Sequence, residues 1–266
     1  MYARGSRVWP VVALLVASAP NGLGAQSPRW RGWDSPEARI AVGDGLHFRM
    51  QPLEAFQMFQ RVVEDDPEHY VGLWKSAQEA VILGIIALDD DEQTQWFRTG
   101  EEYARRAIMV ELDDPAGHYW LAAALGRRAV QSDARTTARL AAEVYHEAHV
   151  VLRLDSLHAG AHNVLGTFNY EVMKMSGVKR FIARTFFGSE GLDKASWEDA
   201  ACYTRRAAEL DPTSLLYRLD LGKLYFKRNQ HDLARTALNE VLQLPSIHPP
   251  DLTFKRQARE LLDDLR

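Results

Sequence analysis

Residues 221–243 read Leu-Gly-Lys-Leu-Tyr-Phe-Lys-Arg-Asn-Gln-His-Asp-Leu-Ala-Arg-Thr-Ala-Leu-Asn-Glu-Val-Leu-Gln. Apolar side chains recur every three or four residues on either side of a polar break, the spacing of one helical face repeated twice. Gly222 stands twelve residues before Ala234, and Gly43 stands twelve residues before Ala55. A glycine at that place lets a first helix approach a second closely. A helix pair is therefore expected over this stretch, and another over about 36–50 and 52–66, with Pro52 opening its second helix.

Working outward, the second half of the pattern recurs. Helix-like stretches end at Asp66-Pro67, Asp114-Pro115, Asp155-Ser156 and Asp211-Pro212. Twelve and eight residues before each closing residue stand Ala55/Phe59, Tyr103/Ala107, Val144/Ala148 and Ala200/Thr204. Leu221-Gly222-x2-Tyr225, Ala234-x3-Leu238 and the closing Pro are the signature of a tetratricopeptide repeat. The expected fold is all-α: a tetratricopeptide-like α-solenoid of about four to five helix pairs over residues 35–266, with a long insertion at about 173–195. Residues 251–266, an amphipathic, charged segment with Leu252, Phe254, Ala258, Leu261, Leu262 and Leu265, read as the capping helix that an end repeat needs. Ser35-Pro36-Glu37 is a helix start, an N-cap hydroxyl followed by Pro at the first helical position. The closing residues are 48, 41 and 56 apart, where an ordinary repeat takes about 34. The excess falls between the two helices of a pair. Asp89-Asp90-Asp91-Glu92, within the first excess, reads as a solvated turn capping the helix that holds Trp96 and Phe97. It lacks the spacing of a calcium loop.

The N-terminus reads as a secretory signal over residues 1–25. Arg4 and Arg7 precede an uncharged, largely apolar run from Val8 to Ala19, and Leu23-Gly24-Ala25 offers a cut ahead of Gln26. That run is short of the roughly 20 residues of a membrane span, and Pro10 interrupts it. The chain is then expected to be exported, periplasmic or secreted, with residues 26–34 as a lead-in. The formal charge of −4 falls to −6 when Arg4 and Arg7 leave with the signal. A mildly acidic body offers nucleic acid no general attraction. Cys202 is the single cysteine, so no intramolecular disulfide forms, and its place between Ala201 and Tyr203 reads as a buried, inert thiol.

The insertion has two readings. Val178, Phe181, Ile182, Thr185 and Phe186 fall at helical spacing, beside Lys174, Lys179, Arg180 and Arg184. Such a helix lies on an anionic membrane as a peripheral contact, or inserts its aromatics into its own fold and leaves the cations wet. The second is favoured. From Gly166 to Ala200, above all Phe-Phe-Gly-Ser-Glu-Gly-Leu-Asp-Lys-Ala-Ser-Trp-Glu-Asp-Ala at 186–200 after Arg180-Phe181, the sequence resembles the regulator of microtubule dynamics family and its bacterial tetratricopeptide relatives. The likeness extends over about 36–265, with Asp193 where a Pro is often seen. The resemblance implies a repeat fold, microtubule association, organelle-contact roles and, in one branch, lipid handling. An exported chain does not meet microtubules in the producing cell, so the fold carries over and the partner does not.

Catalytic signals are missing from the sequence. There is no nucleophile elbow and no phosphate loop, and Ser176-x-x-Lys179 stands without companion motifs. No enzyme activity, cofactor or metal is expected. His118, His146, His149, His158 and His162 include pairs at i,i+3 and i,i+4, which makes zinc or nickel the competing reading. His146-Glu147-Ala148-His149 is one residue short of the protease motif, and packing histidines are the favoured reading. What remains is the inner wall formed by the first helix of each pair. Inward positions pick Val164, Thr167 and Tyr170, bordered by His162 and Asn163, then Asp220, Lys223 and Phe226, with Trp74 and Gln78 as their counterparts. The residues assigned to partner binding are Trp74, Gln78, Asn163, Thr167, Tyr170, Lys223 and Phe226. The stretch near Trp120 and Leu121 has no register, so none is assigned there. Two functions compete: a scaffold holding a protein or peptide in the concave face, and a carrier of lipid or amphiphile in a cavity walled by residues 173–195. Intact mass and N-terminal sequencing of the secreted protein are expected to show a start at Gln26; a mature chain retaining Met1 contradicts the signal assignment.

Overall fold

Four turns between successive helix pairs share one backbone conformation, and they fix the register of the chain. The computed structural model describes residues 35–176 and 192–265. Residues 1–34, read from sequence as a signal and lead-in, and residues 177–191 of the stretch read as an insertion at about 173–195, lie outside the described residues. The helices are α1 (Pro36–Phe48), α2 (Pro52–Asp65), α3 (Tyr70–Ile86), α4 (Asp90–Val110), α5 (Pro115–Val130), α6 (Ala134–Leu154), α7 (Ala159–Lys174), α8 (Trp197–Leu210), α9 (Leu215–Lys227), α10 (His231–Gln243) and α11 (Asp251–Asp263). They form five pairs and a cap, with no strand among the described residues.

Asp66, Glu111, Asp155 and Asp211 end α2, α4, α6 and α8 with φ between −141 and −131 and ψ between 89 and 98. In the three aspartates the carboxylate accepts the backbone N–H two residues on, from Glu68, Leu157 and Thr213, the local bond that favours Asp in turns. The next first helix then starts on a side-chain cap: His69, Asp114, His158 and Ser214 each accept an N–H of its first turn. Ser35 does the same for α1.

This corrects the sequence register at one place. Asp114-Pro115 does not close a pair; it caps and opens α5, and Glu111-Leu112 holds the closing position. The residues facing the first helix in that pair are accordingly Gly100 and Ala104, both buried, in place of Tyr103 and Ala107. Closing residues 67, 112 and 156 are then almost evenly spaced. The added length lies in the helices, with α3 and α4 of 17 and 21 residues and α5 and α6 of 16 and 21. As expected, Asp89 caps α4 by accepting the N–H of Glu92. The first and last pairs keep ordinary lengths and share one short turn, in which Met50 and Asn229 adopt φ of 62 and 58.

Counting from each N-cap, the eighth residue of every first helix is small and buried: Gly43, Ala77, Ala122, Gly166 and Gly222. The second helix passes there. A Cβ on Gly43 would stand 2.3 Å from the Phe59 ring, one on Gly166 2.3 Å from Thr204 Oγ1 and 2.9 Å from its backbone N, and one on Gly222 2.6 Å from Leu238 Cδ2. Contacts run from each helix to the next, and also from α1 to α3, α3 to α5, α5 to α7 and α7 to α9. Among the described residues, second helices of neighbouring pairs make no comparable contact. The first helices are therefore crowded on the inside of a curve, and the second helices are splayed on the outside.

The two ends of this curve also touch. Ile85 of α3 packs on the cluster of Leu215, Leu219, Leu238 and Phe254 at the C-terminal end, and His47 of α1 bonds His248, 201 residues away. Among the described residues the curve is a closed one. Gly166→Ala is expected to cost about 1–3 kcal/mol through overpacking. Gly126→Ala, where an added Cβ meets nothing within 4 Å, is expected to gain up to about 1 kcal/mol of helix propensity. Urea unfolding of the two variants checks the contrast.

Candidate functional site

The inner wall is built by side chains that stand beside each small residue. On α7, Asn163 is three residues before Gly166, with Thr167 and Tyr170 one and four after it. Asn163 is buried, and its Nδ2 donates to Asp220 Oδ2 at 3.0 Å. Asp220 also pairs with Lys223 at 3.4 Å. Thus Asn163, Asp220 and Lys223 form one polar patch across α7 and α9, although 57 residues separate the first two. The Oδ1 atom of Asn163 is buried, with no hydrogen-bond partner among the described residues.

Tyr170 flanks this patch. Its ring meets Trp197 edge-on at 6.1 Å, with the Lys174 ammonium 5.3 Å from its centroid. Burial, then the carboxylates of Glu171 and Asp220, push its phenol up to about 12. Tyr170 also packs on Ala200, Ala201, Leu221 and Leu224. Thr167 and Phe226 are half-buried, and Phe226 leans on the C-terminal cluster. Trp74 and Gln78 are half-buried on α3, two pairs away from the patch. Trp74 packs on Val63, Leu73 and Ala107 and carries the Lys75 ammonium 4.5 Å above its ring, which in turn pairs with Asp44 at 2.6 Å. Each aromatic residue of the wall is thus anchored in the interhelical core and presents one side only.

The register of α5 adds residues that the sequence reading left unassigned. With Ala122 as the eighth residue, Tyr119 takes the place that Asn163 holds on α7. Its ring covers the first turn of α7, where a Cβ on Gly160 would stand 2.4 Å from it. Its hydroxyl interacts with that of Tyr217 on α9, so Tyr119 bridges over α7. Burial raises both phenols. Counting eight from the cap Asp114 is the signal that finds it.

Three of the five clustered histidines, His118, His158 and His162, take part in caps and interhelical contacts. His118 is buried; its Nδ1 lies 2.5 Å from Glu147 Oε2 and its Nε2 2.9 Å from Leu112 O. Both nitrogens face acceptors, which suits the doubly protonated imidazolium. The hydrogen bond to Glu147 holds its proton above the ordinary histidine range, against an opposing burial effect. His158 caps α7, and His162 reaches Ser156 O and the Tyr203 ring. Among the described residues no three metal-type ligands gather. Cys202 is exposed, which corrects the buried-thiol expectation: the inward stripe of α8 falls on Ala200, Ala201, Thr204 and Ala207, and residue 202 lies off it.

A sequence profile described as Regulator of microtubule dynamics protein 1-3 matches residues 40–266, and the chain belongs to that family. Regulator of microtubule dynamics protein 3 of Rattus norvegicus is 24% identical over 253 residues, covering 92% of this chain and 52% of that protein. Regulator of microtubule dynamics protein 1 of Bos taurus is 24% identical over 85% of this chain and 71% of its own length. The chain thus spans about half of the rat relative. In structure it is similar to a thermophilic TPR protein of Thermus thermophilus, with TM-score 0.59, 15% identity and 86% and 99% of the two chains covered. That likeness shows the tetratricopeptide fold.

Since His118 binds its proton more tightly in the folded state, its contribution is complete below its ordinary value of about 6.5. That contribution is lost as pH rises through the elevated folded value. Glu147→Gln is expected to cost about 1.5–3 kcal/mol at pH 6 and progressively less in alkali, read by thermal melts from pH 6 to 9.

Proposed function

From its membership of the regulator of microtubule dynamics family and the inward crowding of its first helices, we propose that the chain is a non-catalytic repeat scaffold holding a protein or peptide on its inner wall. The observation that carries this reading is the patch of Asn163, Asp220 and Lys223 set beside Tyr170. Its polar atoms sit on rigid helices next to an anchored aromatic face, the composition that fixes an extended peptide by backbone hydrogen bonds and one or two side-chain anchors. Trp74 and Gln78 on α3 extend the same wall. Contacts of this kind are individually modest and add along a scaffold that loses little freedom on binding. The basic start and short apolar run before Gln26 support export, so the partner is sought outside the cytoplasm. The microtubule named in the relatives' descriptions is not the partner proposed for an exported chain.

A photo-crosslinking residue introduced at Thr167 in the producing cell tests the reading. It is expected to capture a polypeptide, with the yield falling about tenfold in Trp74→Ala and Tyr170→Ala, the loss of about 1.4 kcal/mol that an aromatic anchor carries. Helicity by circular dichroism stays unchanged. Capture of phospholipid alone, seen by native mass spectrometry, contradicts the scaffold and moves the chain to the carrier class.

A further inference from the structure

The strap between α10 and α11, residues 244–250, lays His248 against the first pair. His47 lies four residues after Gly43, the same inner position that Tyr170 and Phe226 hold in their pairs. It is buried and has two partners: its Nδ1 is 2.8 Å from Glu79 Oε1 on α3, and its Nε2 is 3.0 Å from His248 Nδ1. Glu79 is 1% exposed. A carboxylate and two imidazoles are therefore lined up at the seam where the curve closes. The other contacts there are apolar, Phe48 against the His248 ring at 5.9 Å and Ile85 on the C-terminal cluster.

Two imidazole nitrogens 3.0 Å apart hold one proton between them, one as donor and the other as acceptor. A second proton sets N–H against N–H and two positive charges against each other. The surrounding charges do not absorb it. His47 is faced by Glu79 of α3, and Glu79 in turn by Lys75 of its own helix and Asp44 of α1; His248 is faced by His47, by Asp251 of α11 and by Asp211. Asp251 is buried, and its Oδ2 already accepts the backbone N–H groups of Ile247 and His248 at 2.8 Å each. Glu79 is already taken by His47 and Asp251 by the strap backbone, so a positive charge at position 248 has no free carboxylate beside it.

We infer that His47 and His248 form a proton-operated clasp, which ties the strap to the first pair at neutral and alkaline pH and releases it in acid, uncovering the inner face of that pair. Burial and the nearness of His47 hold the His248 imidazole below its ordinary range in the closed form. The closed form is therefore fully favoured above the ordinary histidine value of about 6.5 and weakens as pH falls below it. The clasp operates whatever guest the wall takes, so its failure and that of the scaffold reading are separate outcomes.

The test uses the full chain carrying Cys202→Ser with spin labels at Leu53→Cys and Leu252→Cys, two exposed positions on α2 and α11. Electron–electron resonance is expected to give one narrow distance at pH 8 and, at pH 5, a second population longer by about 10 Å, one helix diameter. His248→Gln, which keeps a donor for His47 without titrating, is expected to stay closed to lower pH. His248→Lys, charged throughout, is expected to be open at pH 8. A wild-type distribution unchanged from pH 8 to 5 with helicity intact overturns the clasp. Should acid unfold the chain, His248→Lys decides alone: a closed distance in that variant at pH 8 overturns it.

Discussion

Two antiparallel helices nest only where one gives way to the other, and in this chain the giving way occurs at one residue per pair. The eighth residue of each first helix has at most a methyl group, and the size of what faces it follows. Gly43 takes Phe59, Gly166 takes Thr204 and Gly222 takes Leu238, whereas Ala77 shares its cluster with Ala104. At each glycine the facing side chain fills the space that a Cβ would occupy, as a close-packed interior requires. With that crossing fixed and the four inter-pair turns alike, each pair is placed on the last by the same operation. First helices meet on the inside, and a wall results.

The middle of the chain departs from a regular array in length and not in logic. Two of its pairs extend their second helices to 21 residues, and Gly84 supplies one of them with a second close approach, where a Cβ would stand 2.4 Å from Phe97. Ion pairs add to the apolar packing between pairs: Arg105 joins Glu101 on its own helix to Glu143 on α6. Within the third pair, His118 and Glu147 lock α5 to α6. Buried histidines and carboxylates concentrate at two joints, the α5–α6 crossing and the closure between first and last pairs. Such groups contribute little net stability when paired, and their consequence is that both joints respond to pH.

The legible part of the fold lay in what is local. Turn chemistry, caps and the small-residue offset are written within a dozen residues, so the first and last pairs, Pro52, the cap helix and the family likeness could all be read directly. The misread register at Asp114-Pro115 has a local cause as well. Asp before Pro serves equally as the end of one helix and as the N-cap of the next, and only the geometry of Glu111 tells which. The wall was half legible. Asn163, Thr167 and Tyr170 followed from Gly166, but their union with Asp220 and Lys223 depends on the stacking angle of two pairs. The meeting of His47 with His248 depends on the curvature summed over five. No spacing records that sum.

The central claim is that stacking rests on the small-residue crossing, and a double-mutant cycle at Gly222 and Leu238 tests it most directly. Leu238→Ala empties the space that an added methyl at 222 would enter, so the cost of Gly222→Ala should largely vanish in that background. By urea unfolding the account predicts a coupling of about 1–3 kcal/mol between the two sites. Costs that simply add, within about 0.5 kcal/mol, would contradict it.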